Sequence, residues 1–141
     1  MATKLTRLEF KQRYNEYSRG MFIAIDGKRF PKDQVAINLG ERLSEMLLQF
    51  SVDERKEKAR VALESIVSAY KGVTLTNIEV LFTPYLSLDV IGVLASLCRN
   101  RKICVLWPGK IENGKAYYAE PAFPEYYECE LSRFQETFII E

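Results

Sequence analysis

A strand–helix–strand pattern over residues 73–107 constrains this chain more than any other feature. "VTLTNIEVLF" is β-branched and apolar along its length, which reads as a buried strand. Pro84 ends it. "SLDVIGVLASLCRN" is apolar on most sides, as a helix packed into a sheet must be, with Ser87 as its expected cap. Arg99, Arg101 and Lys102 follow at the negative end of that helix, where cations are favoured. "KICVLW" is a second buried strand. Two such strands joined by a helix form a βαβ unit, expected to be parallel and right-handed.

The flanking segments extend that unit. In "KLTRLEFKQRYNEYSRG", Leu5, Leu8, Tyr14 and Tyr17 fall near one side of a helix, Thr6 and Glu9 can form a capping box, and Gly20 is the expected stop. An N-terminal helix within residues 1–20 follows. "MFIAID" and "QVAINL" read as strands. Only about seven residues separate them, fewer than the dozen a parallel crossover needs, so they form a hairpin or lie apart in the sheet. "GERLSEMLLQF" puts Leu43, Met46, Leu47 and Phe50 on one helical face. Ser51 and Glu54 then cap a second helix, on which Ala59, Ala62, Leu63, Ile66, Val67 and Tyr70 recur at helical spacing. Asn113-Gly114 lies between short strand-like runs, a strong hairpin signal. In the tail, Tyr127, Cys129 and Leu131 alternate as in a strand, while Phe134 and Phe138 suit a strand or a helix.

At 141 residues the chain reads as one domain. The expected architecture is a three-layer α/β domain with a mixed, partly parallel sheet in which "TLTNIEVLF" and "KICVLW" are parallel neighbours. Residues 110–141 add a C-terminal β-hairpin and tail at one edge.

Composition excludes several chemistries. The chain has no histidine, which removes histidine-based nucleophilic catalysis and most zinc and iron sites. Cys98, Cys104 and Cys129 form no Cys-x-x-Cys pair; free thiols in a reducing cytoplasm are expected. No cofactor or metal is expected. A net charge of +1 announces neither nucleic acid nor membrane, and no apolar run is long enough to span a bilayer.

"FIAIDGKRF" resembles the close of a phosphate-binding loop, because a strand-like run leads into Gly27-Lys28. Such a loop needs Gly-x-x-x-x-Gly-Lys-Ser/Thr and an immediate helix, so that backbone N–H groups and the positive helix end face the phosphates. Aligned on Gly27-Lys28, the first glycine falls on Phe22 and the hydroxyl falls on Arg29, and Pro31 leaves no room for the helix. A surface turn is the expected structure. Gly27, Lys28 and the strand residue Glu79 are left as weak nucleotide-site candidates.

Two further clusters can bind partners. The tail joins Glu120, Glu125, Glu128 and Glu130 to Tyr117, Tyr118, Tyr126 and Tyr127. It reads as paired carboxylates, as an interface with tyrosine anchors, or as an ordinary exposed edge. Trp107, at the carboxyl end of a parallel strand, lines a ligand crevice or closes the core. Arg99, Arg101 and Lys102 touch nucleic-acid phosphates or cap a helix end.

"NLGERLSEMLLQFSVDERKEKARVALESIV", "NIEVLFTPYLSLDVIGVLASLCRNRKICVLWPG" and "YAEPAFPEYY" together resemble the small P-loop-type protein of type 3 BREX phage-defence systems, the BrxF family. The resemblance runs from about Val35 to Tyr127. Asn77-Ile78-Glu79, Leu81-Phe82, Arg99-Asn100-Arg101, Trp107-Pro108-Gly109 and Pro124-Glu125-Tyr126 carry it. It implies a reduced nucleoside-triphosphatase-like fold and a role beside larger defence proteins. The chain departs from the family at the phosphate loop, at Thr76 in place of a strand-end Asp, and at Phe123 in place of a His. The resemblance therefore implies a degenerate member: a non-catalytic, partner-binding scaffold, self-associating or bound to other defence proteins. The alternatives are a nucleotide-binding ATPase subunit with an atypical or shared site, and a DNA-contacting module.

Overall fold

The structure, a computed structural model, describes residues 2–141. Along the chain come β1 (Thr3–Leu5), α1 (Arg7–Arg13), β2 (Gly20–Ala24), β3 (Ala36–Asn38), α2 (Leu39–Leu47), α3 (Val52–Val67), β4 (Gly72–Thr76), α4 (Val90–Leu97) and β5 (Lys102–Leu106). Four more strands follow: β6 (Lys110–Glu112), β7 (Lys115–Tyr118), β8 (Tyr127–Glu130) and β9 (Thr137–Ile140).

Six strands form the main sheet in the order β1-β9-β2-β5-β4-β3, and every neighbouring pair runs parallel. β6, β7 and β8 form a separate antiparallel sheet. The α/β class therefore stands, with parallel and antiparallel pairing segregated into two sheets. β4 and β5 are the expected parallel neighbours, with Val73 opposite Ile103 and Leu75 opposite Val105. β2 and β3 lie apart, separated by β5 and β4, as their short connection required.

Alternation along each strand divides the core in two. Met21, Ile23, Val73, Leu75, Ile103 and Val105 face α2, α3 and α4. Phe22, Cys104, Phe138 and Ile140 face the other way, against Phe10 and Tyr14 of the α1 segment and against Phe30. Helices thus flank both faces. The α3 stripe is buried at Ala59, Ala62, Leu63, Ile66 and Val67 as its spacing predicts, and Ser51 and Glu54 close the capping box. Thr6 and Glu9 do the same for α1.

Several boundaries differ from the sequence reading. The N-terminal segment is not one helix over residues 1–20. Thr3–Leu5 pairs with β9 instead, and α1 stops at Arg13 before a 3-10 turn over Tyr14–Glu16. Leu8, expected on the apolar side, is exposed, because Phe10 and Tyr14 supply the buried face. The strand in "VTLTNIEVLF" ends at Thr76. Asn77 adopts a left-handed backbone (φ 54°), and Ile78–Phe82 turns into a 3-10 helix that buries Ile78, Leu81 and Phe82. α4 is capped by Asp89, whose carboxylate accepts the Gly92 N–H, and not by Ser87. The Asn113-Gly114 hairpin forms as expected: both residues have positive φ, 52° and 77°, as a type I′ turn demands.

The tail holds the largest difference. Thr137–Ile140 is no edge addition but an interior strand, hydrogen-bonded to β1 on one side and β2 on the other. Phe138 stacks on Phe22 with ring centroids 4.8 Å apart.

Cys98, Cys104 and Cys129 are free and buried. Burial pushes the Cys98 thiol up to about 12 and the Cys104 thiol up to about 11, from an ordinary 9.0. The folded chain thus holds both protons at a pH where the unfolded chain has begun to lose them. Stability from this source is complete below about pH 9 and falls as pH rises towards 11, by about 1.4 kcal/mol per pH unit for each thiol. Urea denaturation at pH 8 and pH 10.5 should show that fall, and Cys98→Ala should reduce it. Equal stability at the two pH values would refute the assignment.

Candidate functional site

Parallel α/β sheets commonly bind ligands at the carboxyl ends of their strands. Here those ends meet the chain's own small sheet. After β5, Trp107 donates its backbone N–H to Ala24 at the end of β2, and its indole N–H to the Tyr117 carbonyl of β7, both at 2.9 Å. After β4, Phe82 stacks on Tyr118 at 4.0 Å. The hairpin tip, Asn113 and Gly114, shares a cavity of about 170 Å³ with Ile25 beyond β2 and Ile140 of β9. Gly109 makes the fit possible, since a Cβ there would collide with the Tyr117 carbonyl oxygen. Tyr127 latches the small sheet to α4. Its hydroxyl donates to Asp89 Oδ1 (2.6 Å) and accepts the Ile91 N–H (2.9 Å).

Trp107 is buried and belongs to the core packing. Tyr117, Tyr118, Tyr126 and Glu125 are half-buried around the same junction, and Glu79 is exposed beside it. Burial first, and then the Glu79 and Glu125 carboxylates, push the Tyr118 hydroxyl upward. Glu79 lies on the 3-10 helix, not on a strand. Arg99, Arg101 and Lys102 do not converge. Arg101 donates to the Tyr70 and Leu97 carbonyls and so closes a helix end. Lys102 donates to the Tyr14 carbonyl, with its ammonium 4.0 Å from the Tyr14 ring centroid. Arg99 is exposed near Arg19 on another cavity.

Gly27 and Lys28 form a single 3-10 turn over Gly27–Arg29. Its cap is Asp26, whose Oδ1 accepts the Lys28 N–H at 2.9 Å. In a phosphate loop that backbone donor faces the phosphate. Here a carboxylate already holds it and repels a second anion.

The structure assembles one feature that no sequence window displays. A trough beside α1 is made of two adjoining hollows, of about 500 and about 650 Å³, which share Tyr14, Asn15, Pro31 and Asp33. Arg7, Lys11, Lys28, Arg29 and Lys32 line the first part, and Lys71 and Lys102 the second. Among the described residues, Asp33 is the sole acid lining either. Seven cations against one carboxylate make a local +6 on a chain of net +1, leaving −5 for the rest. Among the described residues, none of the seven takes part in an ion pair within 4.0 Å.

A polar network stiffens the floor. Tyr14 donates its hydroxyl to Gln34 Oε1 (2.6 Å), and Gln34 Nε2 donates to Thr74 Oγ1 (3.1 Å). The Cys104 thiol, 3.5 Å from the Tyr14 hydroxyl, completes it. Burial pushes the Tyr14 hydroxyl well above its ordinary range, so it stays a neutral donor. The sequence hinted at this trough only through Lys28, Arg29 and Lys32 in "GKRFPK" and through the one-turn spacing of Arg7 and Lys11. Lys71 and Lys102 join them through the sheet alone.

Compared with protein-family models, curated proteins and solved structures, the chain matches none.

Proposed function

We propose that this chain is a non-catalytic interaction and scaffold component of a BREX-like phage-defence system, bound to other defence proteins in the cytoplasm. One observation carries the non-catalytic part. The carboxyl ends of β2, β5 and β4, where α/β enzymes place their chemistry, are covered by Trp107 and the β6–β8 sheet. The Asp26 carboxylate on the Lys28 N–H supports the same reading. The defence context rests on the resemblance between Val35 and Tyr127. Among the described residues, no helix is long and apolar enough to cross a membrane.

Calorimetric titration with a non-hydrolysable ATP analogue and Mg²⁺, taken to millimolar ligand, should give neither heat nor thermal stabilisation. Saturable binding that vanishes in Lys28→Ala would overturn the proposal in favour of an ATPase subunit. For the scaffold part, affinity capture from cells carrying the defence operon should retain the same defence proteins before and after ATP depletion.

A further inference from the structure

We infer that the basic trough beside α1 holds the phosphodiester backbone of a single nucleic-acid strand, without regard to its sequence. The inference concerns a different surface from the covered strand ends and stands whether or not the chain binds nucleotide.

Charge points to the ligand first. A local +6 on a nearly neutral chain is a concentrated field, and a concave wall focuses it. Arg7, Lys11, Lys32 and Lys71 are exposed and unpaired among the described residues, so an anion arriving at them displaces no carboxylate, while Lys28 is exposed beside Asp26, which holds its backbone N–H. Arg29 is half-buried, tied by one nitrogen to the Ile140 carbonyl (3.2 Å), with its Nε buried and unpartnered.

Shape and the lack of an exposed ring narrow the class; among the described residues that line the trough, Val35 is the exposed large apolar side chain. Protein partners are anchored by aromatic and apolar side chains in the middle of an interface. The trough's aromatic residues, Phe10, Tyr14 and Phe30, are buried in the core and offer no such anchor. A membrane surface is flat and cannot enter a concavity. A duplex carries its phosphates on a convex cylinder and would meet only the rim. A flexible single strand can lie along the floor. With the rings buried, bases have no platform to stack on, so phosphate contacts dominate and sequence is not read.

Length is consistent with a strand. Arg7 to Asn15 spans about 12 Å at a helical rise of 1.5 Å per residue. A single strand spaces its phosphates more widely than the about 3.4 Å per strand of a duplex, so that edge alone meets about two of them. The second part of the trough, with Lys71 and Lys102, continues the path.

Fluorescence anisotropy with labelled dT20, rU20 and a 20-base-pair duplex tests this directly. Both single strands should bind with a dissociation constant of about 10⁻⁵ M or tighter at 50 mM salt, and the duplex at least about tenfold more weakly. The log–log salt slope should be about −3, as four single-strand phosphates give. The Lys11→Glu/Lys32→Glu double variant should lose at least about tenfold in affinity and about half the slope. Lys56→Glu/Arg60→Glu on α3, with the same change in net charge, should stay within about threefold of the parent. All four positions are exposed, and circular dichroism should show every variant folded. Binding of dT20 but not rU20, or the reverse, would identify the natural strand and keep the inference. No binding of either strand, an equal loss in both double variants, or a duplex bound as tightly as a single strand would each overturn it.

Discussion

Removing the last five residues, Thr137–Glu141, should leave no folded protein. The prediction is unusual, because chain ends are ordinarily the most dispensable part of a domain. Here the end is an interior strand. β9 supplies the ladders to both β1 and β2, and its four residues are 1–8% exposed. Burying Phe138, Ile139 and Ile140 contributes about 1.5–3 kcal/mol each. Together with the two lost ladders, the deficit meets or exceeds the 5–15 kcal/mol that holds a typical domain together. β1 would also lose β9, its one partner in the sheet among the described residues. Circular dichroism and limited proteolysis of the truncated chain should show loss of cooperative structure. Phe138→Ala should fold but lose about 3–5 kcal/mol, through the cavity left against Phe22. A truncated chain that melts cooperatively near the parent temperature would refute the β9 placement.

Trp107→Ala should destabilise by about 3.5–6.5 kcal/mol, the second-largest effect. The indole is 2% exposed and packs edge-on against Phe82 at 5.5 Å. Its loss leaves a cavity, at about 3–5 kcal/mol for a buried tryptophan. It also loses the indole hydrogen bond to the Tyr117 carbonyl, which keeps its place opposite Lys110 in the β6–β7 ladder, at about 0.5–1.5 kcal/mol. Trp107→Phe separates the two contributions. It retains most of the packing and loses the indole N–H, so it should lose mainly the second amount. Urea denaturation followed by far-ultraviolet circular dichroism would measure both. A Trp107→Ala cost below about 1.5 kcal/mol would mean that the small sheet does not close the strand ends as the structure has it.

Much of this protein was set locally and could be read locally. The βαβ unit follows from two apolar runs and the apolar helix between them. The Thr6/Glu9 and Ser51/Glu54 boxes, the α3 stripe and the Asn113-Gly114 turn each depend on residues within a few positions of one another. The same holds for Gly27-Lys28: Asp26, two residues before, is enough to cap the turn.

Tertiary structure alone decided the remainder, because the partners lie far apart in sequence. Thr137–Ile140 becomes an interior strand only by pairing with residues more than a hundred positions away, and its alternation says nothing of which strands those are. Trp107 could have lined a crevice; a β7 carbonyl ten residues on, and Phe82 before it, make it part of the core. The basic trough draws cations from four separate stretches, while Arg101, beside Lys102 in the most basic run, turns to helix-end carbonyls. Charge in a sequence window is a local sum. A binding surface is a sum over space, and parallel strand pairing, which joins segments only through long crossovers, makes the two sums differ.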